Sequence, residues 1–384
     1  MARPTLFSLE ALNAEAGDCL LLHYGTDADR QVVLIDGGPG RVYENHLRKR
    51  LVELRGDATE PFPLRLAMVS HIDDDHITGV RKLLEEQNKK GDAAPAAAEV
   101  VWHNGIEDAM PAELRKTIPP KEALPTERAR AVVAGIAEGR KLGAVIRDLD
   151  LEGNPPFDGL VLQQSSGDEP IGLDDLTLHV LLPDQERLDD LWTEWRKLLA
   201  EKEERDRKKG RIAAFADKSM TNLASIVVLA ECGGRRMLLT GDVRGDHLED
   251  AVRKAKLKFT LEKPLDVFKV PHHGSSANMK VSTFELLPAD HYVFSADGDH
   301  RNPDVETLEM LFEARGNLGA DGFVLHFTNE HMIFKDRRTK EVTDIGKEVK
   351  AVLAKHKKAG RKFTVNYRRE DAHSLVVDLL RVKV

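Results

Sequence analysis

The chain has 384 residues, 41% of them hydrophobic and 5% aromatic, so it can bury a large core built mainly from aliphatic side chains. Its formal net charge of −8 excludes the overall basic surface of a protein that wraps itself in nucleic acid. There is no signal-peptide pattern, and no apolar run approaches the roughly 18 residues that span a bilayer. Two distant cysteines, Cys19 and Cys232, fit a reducing compartment. We therefore expect a cytoplasmic protein without membrane contact.

The first hundred residues alternate short apolar runs with turns, which predicts strands and helices in close succession. The predicted strands are Thr5–Leu12, Asp18–Tyr24, Gln31–Ile35, Leu64–Val69 and Val100–His103. The predicted helices are Arg41–Leu54 and Thr78–Gln87, and the Ala- and Gly-rich stretch Gly91–Ala98 is predicted to be a loop.

The remainder of the chain continues the mixture of strands and helices. Predicted strands are Leu160–Gln164, Leu176–Leu182, Ser225–Ala230, Arg236–Thr240, Val267–Val270, His291–Ser295, Phe323–Phe327, Phe363–Tyr367 and Ser374–Leu380. Predicted helical segments are residues 107–147, Asp184–Arg211 and the Lys-rich Val342–Ala359. One face of Asp184–Arg211 carries Leu188, Leu191, Trp192, Trp195 and Leu198, a spacing that favours packing on a core. This interleaving predicts a layered α/β fold.

Residues 71–76, with the sequence HIDDDH, contain two histidines and three aspartates directly after an apolar strand. Buried imidazoles and carboxylates at this density repel and desolvate one another unless a cation holds them together. A turn can direct its first, third, fifth and sixth side chains into one pocket. We therefore predict His71, Asp73, Asp75 and His76 as metal ligands, with Asp74 facing away.

Four ligands from one turn cannot complete two metal shells, so other segments must contribute. Asp242 follows a strand and a glycine, which would let a metal approach closely. His272 and His273 end another strand in the sequence VPHHGS. We prefer His272 as the ligand and His273 as a contact to the substrate or to a ligand, but the sequence leaves this choice open.

Together these motifs resemble the metallo-β-lactamase superfamily, whose leading HxHxDH motif stands here with Asp73 at the second histidine. That replacement is typical of the branch that contains the soluble hydrolase domain of the DNA-uptake protein ComEC and the choline-phosphate esterases. Further similar motifs include Gly17–Asp18, Asp36–Gly37–Gly38 and Thr240–Gly241–Asp242. The resemblance implies a four-layer αββα sandwich. It also implies supporting roles for the side chains of Asp18, Asp36, Asn222, Ser225 and Ser275.

The resemblance implies a dinuclear site with two divalent ions, Zn²⁺ or Mn²⁺, in which a metal-activated hydroxide attacks the substrate. It assigns His71 and Asp73 to one metal. Asp75, His76 and one of the paired histidines go to the other metal, and Asp242 bridges the two. Candidates for a direct role in the reaction are Asp75, His273 and His300, and Arg301 is a candidate to pair with a phosphate.

The sequence departs from the branch at two places. The superfamily's third motif supplies another histidine, for which the candidates here are His103 and His179. The sequence favours a position at the rim of the site for His103 and an ordinary strand position for His179. Relatives also carry a His-Pro pair where this chain reads DHRNP at residues 299–303. His300 then either contacts a phosphate or leaving group or belongs to a polar loop.

The similarity predicts a hydrolase domain over residues 1–317, with insertions at about 107–147 and 185–215, and a C-terminal extension over 318–384 that packs on the core. We expect a phosphodiesterase or nuclease acting on a phosphodiester or nucleic-acid substrate. One alternative is a hydrolase of thioester- or lactone-type carbonyl substrates. Another is a non-catalytic scaffold or regulator that binds a protein partner through its helical insertions. The sequence does not specify the oligomeric state.

Overall fold

A computed structural model describes residues 3–105, 110, 116, 118, 127–164, 168–207, 221–336 and 339–380 of the chain. Within these residues, two large β-sheets face each other and helices cover both outer sides. This is a four-layer αββα sandwich, so the predicted α/β fold class is confirmed.

The strands of the described residues are short, and most have at least one buried face. They are β1 (Leu6–Leu12), β2 (Leu20–Gly25), β3 (Arg30–Ile35), β4 (Phe62–Leu64), β5 (Leu66–Met68), β6 (Ala96–Ala98), β7 (Val101–Trp102), β8 (Ile171–Leu173), β9 (Leu176–Leu182), β10 (Val227–Cys232), β11 (Arg235–Leu239), β12 (Leu265–Lys269), β13 (Ala289–Phe294), β14 (Phe323–Phe327), β15 (Ile333–Lys335), β16 (Val342–Asp344), β17 (Phe363–Tyr367) and β18 (Ser374–Asp378).

The helices differ widely in length. They are α1 (Gly40–Val42), α2 (Arg48–Arg55), α3 (Asp74–Lys90), α4 (Glu127–Asp148), α5 (Gln185–Arg207), α6 (Gly245–Lys254), α7 (Val281–Leu286), α8 (Val305–Asn317) and α9 (Ile345–Lys358). A π-helical segment, Tyr43–Leu47, connects α1 to α2. Short 3₁₀ turns include Thr221–Ala224, His272–Gly274 and Asp299–Arg301.

Each sheet combines antiparallel and parallel strands. The first sheet has the order β18-β1-β2-β3-β5-β7, and the second has the order β17-β14-β13-β12-β11-β10-β9-β8. Strands β3, β5 and β7 run parallel in the first sheet, as do β11, β12, β13, β14 and β17 in the second. Since parallel strands end at one edge of their sheet, the loops that follow them gather at that edge.

Three hydrophobic clusters hold the layers together. One lies between the sheets and includes Phe7, Leu22 and Leu178. A second joins the first sheet to α2, α3, α4 and α5, and a third joins the second sheet to α6, α7, α8 and α9. Burying apolar side chains contributes about 25 cal/mol per Å², so these clusters supply most of the stabilisation of the fold.

Helix α3 shows how the sequence builds one of these contacts. Ile77, Val80, Leu83 and Leu84 are fully buried, and their spacing places them on one helical face against the first sheet. The helix ends at Gly91, whose φ of 50° lies in the left-handed region that glycine adopts at helix ends. It begins at Asp74, earlier than predicted, so Asp75 and His76 lie in its first turn.

Several predicted elements were wrong. Leu160–Gln164 is not a strand, because its backbone hydrogen bonds go to the Asn104 side chain, Pro183 and Val180 and do not form a regular strand ladder. Gly91–Ala98 is not only a loop, since β6 pairs with β4. The predicted helix Val342–Ala359 begins at Ile345, after the strand β16, and Asp344 caps it by accepting from the Lys347 amide.

The predicted insertions are described only in part. Leu188, Leu191, Trp192 and Trp195 are buried in the cluster beneath the first sheet, which confirms that face of the helix as a core face. The side chain of Leu198 and residues 208–220 lie outside the described residues, as does most of the segment 106–126.

Both sheets receive a strand from the end of the chain. Strand β17 pairs in parallel with β14, and β18 pairs antiparallel with β1. The residues after 318 therefore contribute edge strands to both central layers. The domain boundary at residue 317 remains a prediction.

A buried charge cluster lies where β18 joins the first sheet. Glu10 is 1% exposed and accepts hydrogen bonds from Arg50 Nε at 2.7 Å and from the Ser374 hydroxyl, with His23 Nε2 at 2.8 Å. Burial alone would raise the pKa of Glu10, but His23, Arg50 and Ser374 together lower it to about 2. The carboxylate therefore stays ionised in the folded protein.

We expect acid to destabilise this protein partly through Glu10. A carboxyl whose pKa falls on folding stabilises the fold above its unfolded pKa, and this contribution is lost as the pH falls from about 4.5 to about 2. Glu10→Gln should reduce the free energy of unfolding by roughly 3 kcal/mol at pH 7 and by progressively less below pH 4.5. Urea unfolding at several pH values measures this. A constant difference between the two proteins from pH 7 to pH 3 would contradict it.

Within the described part of the chain, no helix combines the length and the apolar character that crossing a membrane requires.

Candidate metal centre

Polar residues from both sheets meet at the edge where the parallel strands end. Each lies within four residues of the end of a strand, so the rigid sheets fix its position. These residues are Asp36 after β3, Ser70 and His71 after β5, Asp242 after β11, His272 and His273 after β12, and Ser295 after β13. Helix α3 adds Asp75 and His76 from its first turn.

Three imidazoles converge on the carboxylate of Asp242. His76 Nε2 lies 3.4 Å from Asp242 Oδ1, while His273 Nε2 and His71 Nε2 lie 3.4 and 3.9 Å from Oδ2. All three Nε2 atoms and Asp242 Oδ1 are buried and have no hydrogen-bond partner among the residues that the structure describes. Buried polar atoms without partners are costly, and their convergence on one point indicates the place of a cation.

The other ring nitrogen of each of these histidines has a fixed partner. His71 Nδ1 lies 3.0 Å from the Ser70 hydroxyl, His76 Nδ1 lies 2.8 Å from Asp36 Oδ2, and His273 Nδ1 lies 3.0 Å from the Ser295 carbonyl oxygen. Metal-binding histidines are held in this way, with Nδ1–H donating to an oxygen so that Nε2 presents its lone pair. The three rings therefore fit a metal ion.

Two carboxylates of the 71–76 cluster border the same point. Asp75 Oδ2 lies 3.6 Å from His273 Nε2 and 3.9 Å from His76 Nε2, and Asp73 Oδ2 lies 3.6 Å from His71 Nε2. Asp74 is exposed and accepts from the Thr78 hydroxyl, so it faces away as predicted. Groups with ligand atoms within 4.8 Å of one another include His71–His76–Asp242 and Asp75–His76–His273.

Asp36 fixes the positions of Ser70 and His76 through its carboxylate oxygens. Its Oδ1 accepts from the Ser70 amide at 2.7 Å, and its Oδ2 accepts from the Ser70 hydroxyl at 2.7 Å while facing His76. The next residue, Gly37, touches helix α3 so closely that a Cβ on Gly79 would lie 1.9 Å from the Gly37 carbonyl oxygen. Two glycines are therefore needed to bring Asp36 beside His76.

A buried ion pair lies behind His273. Lys269 Nζ is 2.8 Å from Asp18 Oδ2 and donates to the Val270 carbonyl at 3.0 Å, and neither side chain is more than 1% exposed. Asp18 Oδ1 is 3.5 Å from His273 Nδ1. Burial would raise the pKa of Asp18, but Lys269 and His273 hold it well below its usual range. Asp18 thus remains a carboxylate behind the site.

The backbone of the paired histidines is strained. His272 and His273 have φ values of 48° and 56°, in the left-handed region that non-glycine residues rarely adopt. Their rings stand 83° apart with centroids 5.9 Å from each other. Both rings nevertheless approach the same oxygen of Asp242: His272 Nε2 lies 3.7 Å and His273 Nε2 lies 3.4 Å from Oδ2.

The charged groups of the site depend on one another. Burial would raise the pKa of Asp242, but His273, His76 and His272 lower it well below its usual range. Burial would likewise raise the pKa of Asp75, which His76 and His273 lower to about 2. Burial would lower the pKa of His76, but Asp242, Asp36 and Asp75 raise it. Carboxylates that stay ionised beside imidazoles provide the negative charge and the ligand atoms that bind a divalent cation.

Two predicted supporting residues lie just before β10. Asn222 lies on the 3₁₀ turn Thr221–Ala224, and Ser225 directly follows that turn. Asn222 Nδ2 lies 3.4 Å from His272 Nδ1, and its Oδ1 is buried without a partner. The Ser225 hydroxyl is also buried without a partner, and the Ile226 amide after it donates to the Ser70 carbonyl. Thr221, on the same turn, donates to Asp73 Oδ2 at 2.9 Å.

Other predicted residues lie outside this cluster. His103 belongs to no group of ligand atoms within 4.8 Å in the described part of the chain, and its backbone is held by Asn154. His300 is exposed, and Arg301 lies 3.8 Å from Glu348 instead of facing the histidines. His179 pairs with Glu231 on the second sheet. The Ser275 amide closes the turn by donating to the His272 carbonyl.

Several residues of the site were missed in the sequence. Ser70 touches three of its side chains, yet a serine after an apolar strand gives no signal of its own. Ser295 and Thr221 contribute one hydrogen bond each from distant segments. Lys269 carried a signal, because a lysine inside an otherwise apolar strand must find a buried partner.

Residues 13–164 match the family model described as the metallo-beta-lactamase superfamily. This segment includes Asp18, Asp36 and the cluster at 71–76, and it ends before Asp242 and the paired histidines. The resemblance of this part of the chain to the superfamily is thus supported. The narrower resemblance to the ComEC-containing branch remains a prediction.

Comparisons with whole proteins add little. No curated protein matches the chain. A crystal structure assigned as a metal-dependent hydrolase from Parabacteroides distasonis aligns with 83% of this chain and 92% of its own, at 12% identity and a TM-score of 0.35. A TM-score this low does not support transfer of function between the two chains.

Proposed function

We propose that this protein is a metal-dependent hydrolase that cleaves phosphodiester bonds. The observation that carries the proposal is the convergence of the buried, unpartnered Nε2 atoms of His71, His76 and His273 on Asp242. The match of residues 13–164 to a superfamily that contains hydrolases supports it.

The side chains divide into two halves about Asp242. On one side, His71 Nε2 faces Asp73 Oδ2 and Asp242 Oδ2, and His272 Nε2 also lies near Asp242 Oδ2. On the other side, Asp75 and His76 converge with His273, whose Nε2 lies 3.4 Å from Asp242 Oδ2 as well. We therefore assign one of the paired histidines to each half, in place of the initial preference for His272 as the single ligand.

The donor set fits two divalent ions. Imidazole nitrogens and carboxylate oxygens suit Zn²⁺, and the carboxylate share also suits Mn²⁺. Such ions would supply the positive charge that polarises a phosphoryl or carbonyl oxygen and lowers the pKa of an attacking water.

The chain's own residues determine how a substrate reaches this point. His71, His76 and Asp242 are almost completely buried, whereas the side chains of Asp73, Asp75 and His272 are 31%, 32% and 20% exposed. The site therefore opens on the side of these three residues. Asp75, at this opening and with a pKa of about 2, can accept a hydrogen bond from an attacking water and orient it.

The balance of ligands favours a phosphoryl substrate over a carbonyl substrate. Asp73 stands where the superfamily motif has histidine, so this position offers a carboxylate oxygen in place of an imidazole nitrogen. Oxygen donors favour hard ions, which pair with phosphate oxygens. A thioester or lactone hydrolase remains the alternative.

We expect metal-stripped protein to regain hydrolysis of a chromogenic phosphodiester when Zn²⁺ or Mn²⁺ is added. The Asp75→Ala/His76→Ala double variant should lose that activity, because it removes two donors from one half of the site. The assay compares initial rates of both proteins with each metal. Hydrolysis of a thioester but not of the phosphodiester would support the carbonyl alternative.

The scaffold alternative makes a different prediction. A non-catalytic protein would bind no metal stoichiometrically, and its cellular role would survive the double substitution at Asp75 and His76. Metal content after desalting and complementation by the double variant therefore separate a scaffold from an enzyme.

A further inference from the structure

One half of the proposed metal site lacks the histidine that the superfamily's third motif supplies. His71, Asp73 and Asp242 alone offer fewer donors than Asp75, His76, His273 and Asp242 on the other side. His103, the predicted replacement, is held through its backbone by Asn154 and joins no group of ligand atoms in the described part of the chain.

The 3₁₀ turn Thr221–Ala224 closes this incomplete half instead. Thr221 and Asn222 are 2% and 3% exposed, so both side chains lie inside the protein. The Thr221 hydroxyl donates to Asp73 Oδ2, the oxygen that faces His71 Nε2, and so fixes the orientation of that carboxylate. Asn222 reaches the Nδ1 side of His272, whose Nε2 points to Asp242.

The orientation of the Asn222 amide decides which nitrogen of His272 carries a proton. With Nδ2 facing His272 Nδ1, that nitrogen must accept, so the proton sits on Nε2 and no lone pair faces Asp242. In the same orientation, Asn222 Oδ1 is buried without a hydrogen-bond partner among the described residues, which is unfavourable for a polar atom.

Rotating the amide by half a turn exchanges its oxygen and nitrogen, which have nearly the same shape, and so reverses the tautomer that His272 must adopt. Oδ1 then accepts from His272 Nδ1–H, and Nε2 presents its lone pair towards Asp242. This is the arrangement that His71, His76 and His273 already have, each with Nδ1 next to an oxygen.

We propose that Asn222 is a positioning residue that keeps the proton of His272 on Nδ1, so that His272 Nε2 serves as the donor which the third motif supplies elsewhere. Thr221 positions Asp73 in the same half. This inference rests on the proposed metal-dependent function. It adds an account of how the metal ion on the side of His71 and Asp73 is held.

The test counts metal ions instead of turnover. Metal-stripped wild-type protein and variants are loaded with Zn²⁺, desalted and measured by mass spectrometry of the metal. Wild type should hold two ions per chain and Asn222→Leu one, with an affinity for the second ion lowered about 10- to 100-fold. Asn222→Asp should hold two ions. A carboxylate can accept a hydrogen bond but cannot donate one, so it keeps the proton of His272 on Nδ1. Asn317→Leu, which changes an exposed asparagine on α8 that donates to Glu285, serves as the matched control and should also hold two.

A second measurement does not depend on the folding of Asn222→Leu. In zinc-loaded wild-type protein labelled with ¹⁵N in histidine, His272 should show a proton on Nδ1 and none on Nε2. A proton on Nε2, or two ions bound equally tightly by wild type and Asn222→Leu, would overturn this inference alone. A wild-type protein that binds no zinc would overturn the proposed function together with it.

Discussion

Replacing Asp242 with alanine is expected to lower phosphodiester hydrolysis on the order of 10³-fold and to remove bound metal from both halves of the site. Asp242 is the one carboxylate that faces His71, His76, His272 and His273 among the described residues. Its loss would leave several buried imidazoles without a shared counter-charge. Several kcal/mol of transition-state stabilisation correspond to a rate effect of this size. Rates and metal content measured on one preparation test the expectation.

Asp246→Ala is the matched control for this substitution. Asp246 lies four residues further along the chain and pairs with Arg244 on the surface. Exposed ion pairs contribute little, so the control should keep its metal and its rate within a few-fold of wild type. An Asp242→Ala protein that kept two metals would rule out the bridging position proposed for this residue.

Replacing Lys269 with methionine is expected to destabilise the protein by about 3–5 kcal/mol, the cost of breaking a buried ion pair by removing one partner. Lys269 is fully buried and balances Asp18, which would otherwise be a buried carboxylate without a cation. Because Asp18 also lies beside His273, zinc affinity should fall with stability. Urea unfolding measures the free energy, and competition with a chelator measures the affinity.

The Asp18→Asn/Lys269→Met double variant distinguishes charge from packing. If the cost of Lys269→Met arises from the unpaired Asp18 carboxylate, neutralising that carboxylate should recover a large part of the lost stability. A double variant less stable than Lys269→Met would instead show that the lysine stem mainly fills space.

The sequence determined the class of fold and the centre of the site. Alternating apolar runs and helical stripes are local patterns, and most of them, such as the predicted strand Gln31–Ile35, became the expected elements with slightly shifted ends. The cluster at 71–76 was readable because five titratable residues in six positions need a compensating cation wherever they are buried. Asp242 and the paired histidines could be predicted as metal ligands because each follows the end of a strand.

The tertiary structure decided which of these side chains meet. His103 and His300 come from strand ends and loops as plausible as those of His273, yet the fold leaves both outside the converging group. Ser70, Thr221 and Ser295 act through contacts with segments far apart in the chain, and such contacts leave no local pattern. The orientation of a ring nitrogen depends on which strands lie side by side. The sequence could therefore predict a metal site, while the order of strands in two facing sheets determined its ligands.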